Sequence, residues 1–447
     1  MKPKQTSKFN SKQTVEVHLG AAGTLVGHLT FVREGARELS QFNYDASWLS
    51  HPDAFEVSPD LPLRFGYNTR RAPSKVDSVF HFALGDTAPD AWGRRVIERA
   101  HAKARKDNPE LPPLSELDYL RAVDDFSRIG ALRIHSNGKY LQTVEAGRRS
   151  TPPLVELERM YQASRAIENN KETAEDLRYL QGKGTSLGGM RPKCTVLDEE
   201  GMLSLGKFPS VADTINVTRG EVLALQLARK AGIHTADARA VTIKGTPVAI
   251  IRRFDRTDKD TRIPYLSAAS MLQASREETH SYTEIVDLIR QRSPWPEEDA
   301  KELWRRLVFN LLITNTDDHL HNHGFLYAGN NRWQLAPAFD VNPMPGKFRE
   351  SKTWLTPDSG PIVSIDMLIG ACAYFSLTEA KALEVLGEVL KAVLAWRQIG
   401  ISTVVGLTTS ELTDFDDAFE HEITDEARSL LGLPVRRREV EEQSRRD

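Results

Sequence analysis

Ten residues, Asn315-Thr-Asp-Asp-His-Leu-His-Asn-His-Gly324, carry three histidines, two aspartates and two asparagines directly behind an apolar stripe at helical spacing. The stripe is Leu303, Trp304, Leu307, Val308, Leu311 and Leu312, one face of a helix that has to be buried. The density of ligating and proton-transferring groups behind it points to an active-site loop. The plainest reading is a helix end closed by turn and cap residues, since Asn, Thr and Asp bond nearby backbone groups. A second makes His319, His321 and His323 ligands of a transition metal in a hydrolase, because alternate residues of an extended segment point the same way.

A third reading rests on spacing. Asp317 and Asn322 have four residues between them, the separation at which a protein-kinase loop places the carboxylate that receives the substrate hydroxyl proton and the amide that holds a metal ion. Phosphoryl transfer asks for phosphates held by backbone amides, charge neutralised by lysine and metal, and an acceptor hydroxyl held in line. The chain has a candidate for each, in workable order. Gly182-Lys-Gly-Thr-Ser-Leu-Gly-Gly189, followed by Lys193, is a glycine-rich segment that can approach an anion. Lys207 falls on the second strand after it, and Glu221 on the next helix can orient that lysine through an ion pair. Alone, the two would read as solvated surface charges; their place in the series gives them weight. Asp340 lies eighteen residues after Asn322, behind a predicted hairpin that folds it back, so that Asn322 and Asp340 jointly hold Mg²⁺, a hard ion preferring oxygen. Asp318 competes with Asp317 for the carboxylate role, and the four-residue gap selects Asp317.

Length and composition set the frame. With 447 residues there is room for two or three domains, and 40% hydrophobic with 27% charged residues is ordinary for a soluble globular protein. A formal charge of -3 gives no global pull toward nucleic acid or anionic membrane. Cys194 and Cys372, far apart, make no disulfide framework and suit a reducing compartment. The polar, basic first residues lack the apolar core of a secretory signal, and no run approaches bilayer-spanning length, so the expected location is cytoplasmic.

Along the chain, alternating runs from Thr14 to Val32 flank Gly20-Ala-Ala-Gly23 and predict a hairpin opening a small α/β unit. Helical periodicity follows near Ala91–Ala104, and the polar, Gly- and Arg-containing segment 136–153 predicts a domain boundary. Strands are expected over Cys194–Leu197, Met202–Phe208 and Val248–Phe254, with a helix from about Gly220 to Lys230 capped by Thr218 or Gly220. Gly324–Tyr327 and Arg332–Leu335 form the hairpin ahead of Phe339-Asp340, and Ser376 with Glu379 has capping-box spacing. The fold class expected is α+β: an N-terminal unit over 14–135, a nucleotide-binding part over 154–255 and a helical lobe over 256–430, with tails at 1–13 and 434–447.

The loop string, with Ser186-Leu-Gly-Gly-Met-Arg-Pro-Lys193, Arg253-Phe-Asp-Arg256 and Phe339-Asp340, resembles the HipA family of bacterial serine/threonine kinase toxins. Gly85-Asp-Thr-Ala-Pro-Asp90 and Phe126-Ser-Arg-Ile-Gly-Ala131 resemble that family's N-terminal subdomain, so the likeness runs from about Thr14 to Leu430. The resemblance implies a two-lobed protein-kinase-like fold, ATP and Mg²⁺ as cofactors, Asp317 as catalytic carboxylate, and Asn322 and Asp340 as metal ligands. It also implies Gly188, Gly189, Met190, Arg191, Pro192, Lys193 and Lys207 around the triphosphate. Arg252, Arg253 and Phe254 would line the adenine, with His319 and Phe339 beside the nucleotide, and Ser186 would be an autophosphorylated serine that ejects the loop. A helix-turn-helix antitoxin (HipB-like), operator DNA through it, and an aminoacyl-tRNA synthetase substrate are the implied partners. Met190-Arg191-Pro192 and Arg252 depart from the residues common at those places. A catalytically inactive co-repressor is the remaining alternative.

Overall fold

The computed structural model describes residues 10–74, 76–141, 156–180, 189–257, 261–275, 277–346 and 350–435. Its N-terminal sheet is built from β1 (Asn10–Leu19), β2 (Thr24–Glu34), β3 (Arg37–Tyr44), β4 (Asn68–Arg70), β5 (Leu132–Ser136) and β6 (Lys139–Tyr140), in the order β4-β3-β2-β1-β5-β6. Alternation drives the pairing: Val15 and Val17 of β1 go inward while Glu16 and His18 face the other way. Because β1 begins at Asn10, residues 10–13 belong to this sheet and not to the expected tail.

A second sheet, order β7-β8-β10-β9, comprises β7 (Lys193–Leu197), β8 (Leu203–Lys207), β9 (Ala238–Ile243) and β10 (Thr246–Arg252). The helix Val217–Lys230 packs on it, burying Val222, Leu223 and Leu227. Its cap is Asn216, whose side chain accepts from the Arg219 N–H at 3.1 Å, displacing the expected Thr218 or Gly220. Strand β9 carries only partly buried residues after Ala238, which is why apolar patterning passed it over.

The C-terminal part is mostly helical around Pro296–Leu312, with a small sheet of β11 (Tyr265–Ser267), β12 (Gly324–Gly329) and β13 (Arg332–Leu335) at its edge. Trp304, Leu307 and Leu312 are fully buried, and the indole N–H of Trp304 donates to the Leu368 carbonyl at 3.1 Å. Each such side chain contributes about 2 kcal/mol by leaving water. The later helix Glu379–Val393 is capped by Thr378 rather than by the predicted Ser376, which lies outside the helix with φ 61°.

One buried charge network joins the N-terminal sheet to the second sheet. Asp255, just past β10, accepts from the Gly130 N–H at 2.7 Å and pairs with Arg256 at 2.7 Å and Arg253 at 2.5 Å. Gly130 has φ 69°, and a Cβ there would meet the Tyr265 backbone nitrogen at 3.1 Å, so glycine is needed for both conformation and approach. Arg128 is fully buried and spends its guanidinium on the carbonyls of Thr87, Leu120 and Val123. The strings Phe126–Ala131 and Arg253–Arg256 are thus two halves of one seam.

Candidate active site

Lys207 ends β8 with its ammonium 2.6 Å from Glu221 Oε1 and 2.5 Å from Asp340 Oδ1. Three elements make this meeting. Strand β8 runs antiparallel to β10, with Lys207 opposite Ala249. Glu221 sits one turn inside the helix Val217–Lys230 and is buried by it. Asp340 is brought in by the hairpin β12–β13, after which Ala338 pairs with the chain ahead of β9: its N–H donates to the His234 carbonyl at 2.7 Å and its carbonyl accepts from Ala236 at 3.0 Å. Asp340 takes φ 55°, a left-handed conformation that aspartate tolerates better than most residues.

The charges support one another. Burial alone would drive the Lys207 proton off, but the Asp340 and Glu221 carboxylates outweigh it and hold the ammonium well above its usual range. Burial likewise works against Asp340 as a carboxylate, and Lys207, with Lys193 and His319 adding to the field, keeps it below the ordinary value. Glu221 goes the other way: burial and the neighbouring Asp340 charge raise it against the pull of Lys207.

The polar loop carries its two aspartates in opposite senses. Asp318 is buried and accepts from the Tyr282 hydroxyl at 2.6 Å, the Asn310 amide at 2.9 Å and His323 Nε2 at 3.0 Å. It is the keystone of the loop. Asp317 points outward, 51% exposed, and pairs with Lys352. Asn322 is buried, and its amide N–H donates to the Asp317 carbonyl at 2.9 Å, fixing which way the side-chain oxygen turns. The segment after Asp340 lies along this loop, with the Asn342 N–H donating to Asn315 Oδ1 at 3.4 Å. Among the described residues, none offers a hydrogen-bond partner to the buried His319 Nδ1.

The histidines do not assemble into the metal centre of the second reading. His323 turns inward to Asp318, and among the described residues the sole cluster of three or more metal-capable His, Cys, Asp or Glu groups lies elsewhere. Leu320–Asn322 closes into a 3₁₀ turn, which removes the extended geometry that would point alternate histidines the same way.

At the glycine segment, Ser186 and Gly188 lie outside the described residues. Gly189 accepts from the Trp92 N–H at 3.3 Å. Met190 is 80% exposed, Arg191 pairs with Asp213 at 2.5 Å, and the Pro192 carbonyl accepts from Phe208 at 2.9 Å. Lys193 is buried and pairs with Asp90 at 3.0 Å; Asp90 also caps the helix Ala91–Asp107. The Arg252 guanidinium turns to Asp198 and Glu200, and that of Arg253 is sealed into the seam with Asp255. Phe254 and Phe339 do meet, ring centres 5.4 Å apart. Asp90 and Lys352 had no assigned role in the sequence reading: Asp90 lies in a string quoted without a function, and Lys352 in a charged run without periodicity.

Residues 16–134 match the family described as HipA N-terminal domain, and residues 185–396 match the one described as HipA-like C-terminal domain. The chain belongs to the HipA family. A HipA from Shewanella oneidensis MR-1, solved with HipB and operator DNA, has the same fold, with a TM-score of 0.67 over 94% of this chain and 98% of that one at 15% identity. A Haemophilus influenzae protein named "Putative kinase" is 25% identical over 38% of this chain and 56% of its own length. "Putative kinase Y4mE" of Sinorhizobium fredii is 25% identical over 71% of this chain and 75% of its own. Among the described residues, no helix is long and apolar enough to cross a membrane.

Proposed function

We propose that this HipA-family chain is an ATP-dependent serine/threonine protein kinase acting as the toxin of a toxin–antitoxin pair. The observation that carries the reading is the buried Lys207 ammonium held between Glu221 and Asp340, with Asp317 presented outward on the adjoining loop. A buried ammonium clamped by two carboxylates is poised for phosphate oxygens once one carboxylate is engaged by a cation. The donors fit Mg²⁺: Asp340 stays ionised, Asn322 offers an oxygen because its N–H is already spent, and both are oxygen ligands. When bound, Mg²⁺ would neutralise charge on the phosphate oxygens.

In this reading the second sheet and its helix form the nucleotide-binding lobe and the Pro296–Leu312 region the other, with residues 14–135 as a separate N-terminal unit. Lys207 holds triphosphate oxygens, Glu221 holds Lys207, and Gly189 to Lys193 border the phosphates. Asp317 accepts the proton of the acceptor hydroxyl as that oxygen bonds to the γ-phosphorus and the bond to the β-phosphate oxygen breaks. Lys352 is exposed, so an incoming hydroxyl can displace its pairing with Asp317. Ser186 is the autophosphorylation site in this reading, an aminoacyl-tRNA synthetase the target, and a helix-turn-helix antitoxin the partner that brings the complex to operator DNA.

Incubation with labelled ATP and Mg²⁺, followed by mass spectrometry, tests it. Label on Ser186 or an added synthetase is expected, and Asp317→Ala should lower transfer by about 10²–10⁴-fold with unchanged circular dichroism. A folded protein that leaves ATP intact under all these conditions sinks the reading.

A further inference from the structure

The one cluster of three metal-capable groups among the described residues is on the N-terminal sheet: Glu16, His18 and His135, with ligand atoms all within 4.8 Å of one another. Register puts it together. Glu16 of β1 stands opposite His135 of β5, and His18 follows two residues along on the same face of β1. His135 Nδ1 lies 2.6 Å and His18 Nε2 3.2 Å from the same carboxylate oxygen, Glu16 Oε2. The two rings stack with centres 4.8 Å apart at 30°.

The other nitrogen of His18 is also engaged, 3.2 Å from the Tyr140 hydroxyl. That hydroxyl is fixed from two sides. Gly23, at φ 70°, leaves room that a Cβ would fill at 2.1 Å from it, and the Arg133 guanidinium lies over the Tyr140 ring at 3.5 Å. Arg133 is itself neutralised by Asp125 at 2.6 Å. Neutral His18 has two ways to meet these partners: Nε2–H donating to Glu16 with Nδ1 accepting from Tyr140, or Nδ1–H donating to Tyr140 with the Nε2 lone pair turned toward the carboxylate oxygen. The second form is the one that a cation between Nε2 and the carboxylate selects. A divalent ion there leaves both rings neutral, and the buttressed outer nitrogen is the arrangement that orients a ligating histidine.

We infer that Glu16, His18 and His135 form a binding site for a divalent late transition ion of the zinc class, fastening β1 to β5, with a fourth position open to solvent. Two imidazoles and one carboxylate are a donor set zinc favours; His18 Nε2, 3.2 Å from Glu16 Oε2, already stands at the spacing of roughly 3.3 Å that ligands take on a tetrahedral ion, and His135 Nδ1, at 2.6 Å, would move outward as the ion replaces its hydrogen bond. The site is independent of the proposed kinase chemistry and lies on a different sheet.

The full-length protein, stripped with EDTA and dialysed, is titrated with Zn²⁺ by calorimetry and followed by thermal unfolding; Co²⁺ absorption reads the coordination. One equivalent of Zn²⁺ and a raised Tm are expected, with Co²⁺ d–d bands of a four- or five-coordinate site. His135→Ala and Glu16→Gln should each weaken that equivalent at least tenfold and abolish the bands. His18→Gln, which keeps a hydrogen-bonding side chain, should do the same in a fold checked by circular dichroism. No bound equivalent in the wild type, or one that survives the His18→Gln and His135→Ala pair, overturns the assignment and leaves a hydrogen-bonded cluster instead.

Discussion

Asp317 and Asp318 are neighbours with opposite tasks, and the contrast is measurable. Asp318 holds the donors of Tyr282, Asn310 and His323 within a buried pocket, so Asp318→Ala strands three polar groups and should destabilise the fold by about 3 kcal/mol in chemical denaturation. Asp317→Ala should leave the denaturation midpoint nearly unmoved, because its side chain is half exposed and its ion pair with Lys352 is solvated. Spacing to Asn322 singled out Asp317 in the sequence. Nothing in one sequence distinguishes a buried acceptor from an exposed one at adjacent positions; burial comes from Tyr282, thirty-six residues earlier, and could not be read locally.

At the scale of elements, the order strand, strand, helix, hairpin was legible because each carries its own period and turn residues. Lys207, Glu221 and Asp340 could be listed in order from that pattern, and the structure brings the three into contact. What escaped was direction. Arg252 and Arg253 follow one another on an emerging strand end, and their fate depends on the Asp198–Glu200 turn and on Gly130 and Asp255, none of which local periodicity reveals. Caps slipped for a related reason: Asn216 and Thr378 lie beyond where apolar spacing first becomes visible. The same triad yields a prediction. Lys207→Met leaves two carboxylates facing each other in a buried site and should cost about 3 kcal/mol at pH 7. Glu221 is already raised by burial and by Asp340, so it takes up a proton readily; the deficit should shrink in denaturation curves recorded near pH 5 and vanish from the Lys207→Met, Glu221→Gln double variant.

For the whole molecule, the seam around Asp255 sets an acid limit. Burial would raise this carboxyl, but Arg253 and Arg256 with the Gly130 N–H outweigh it, and the group is held far below the carboxylate range. A depressed folded pKa means its stabilisation is complete above the unfolded value near about 4 and is lost as pH falls toward the folded one. Denaturant midpoints measured from pH 7 down to pH 2.5 should therefore slope downward below about pH 4. Asp255→Asn should start lower and show a shallower slope; an identical slope in both would assign the acid sensitivity to other groups.

That seam also decides how the protein can be dissected. Arg253 and Arg256 spend donors on the main-chain oxygens of Phe126, Ser127, Arg128 and Gly130, and Asp90 reaches across to Lys193. A shortened polypeptide beginning near residue 154 would lose the main-chain acceptors of Arg253 and Arg256 and the Asp90 carboxylate that pairs with Lys193, on a freshly opened face. Such a fragment should precipitate or fold only when the missing amino-terminal piece is supplied as a separate chain.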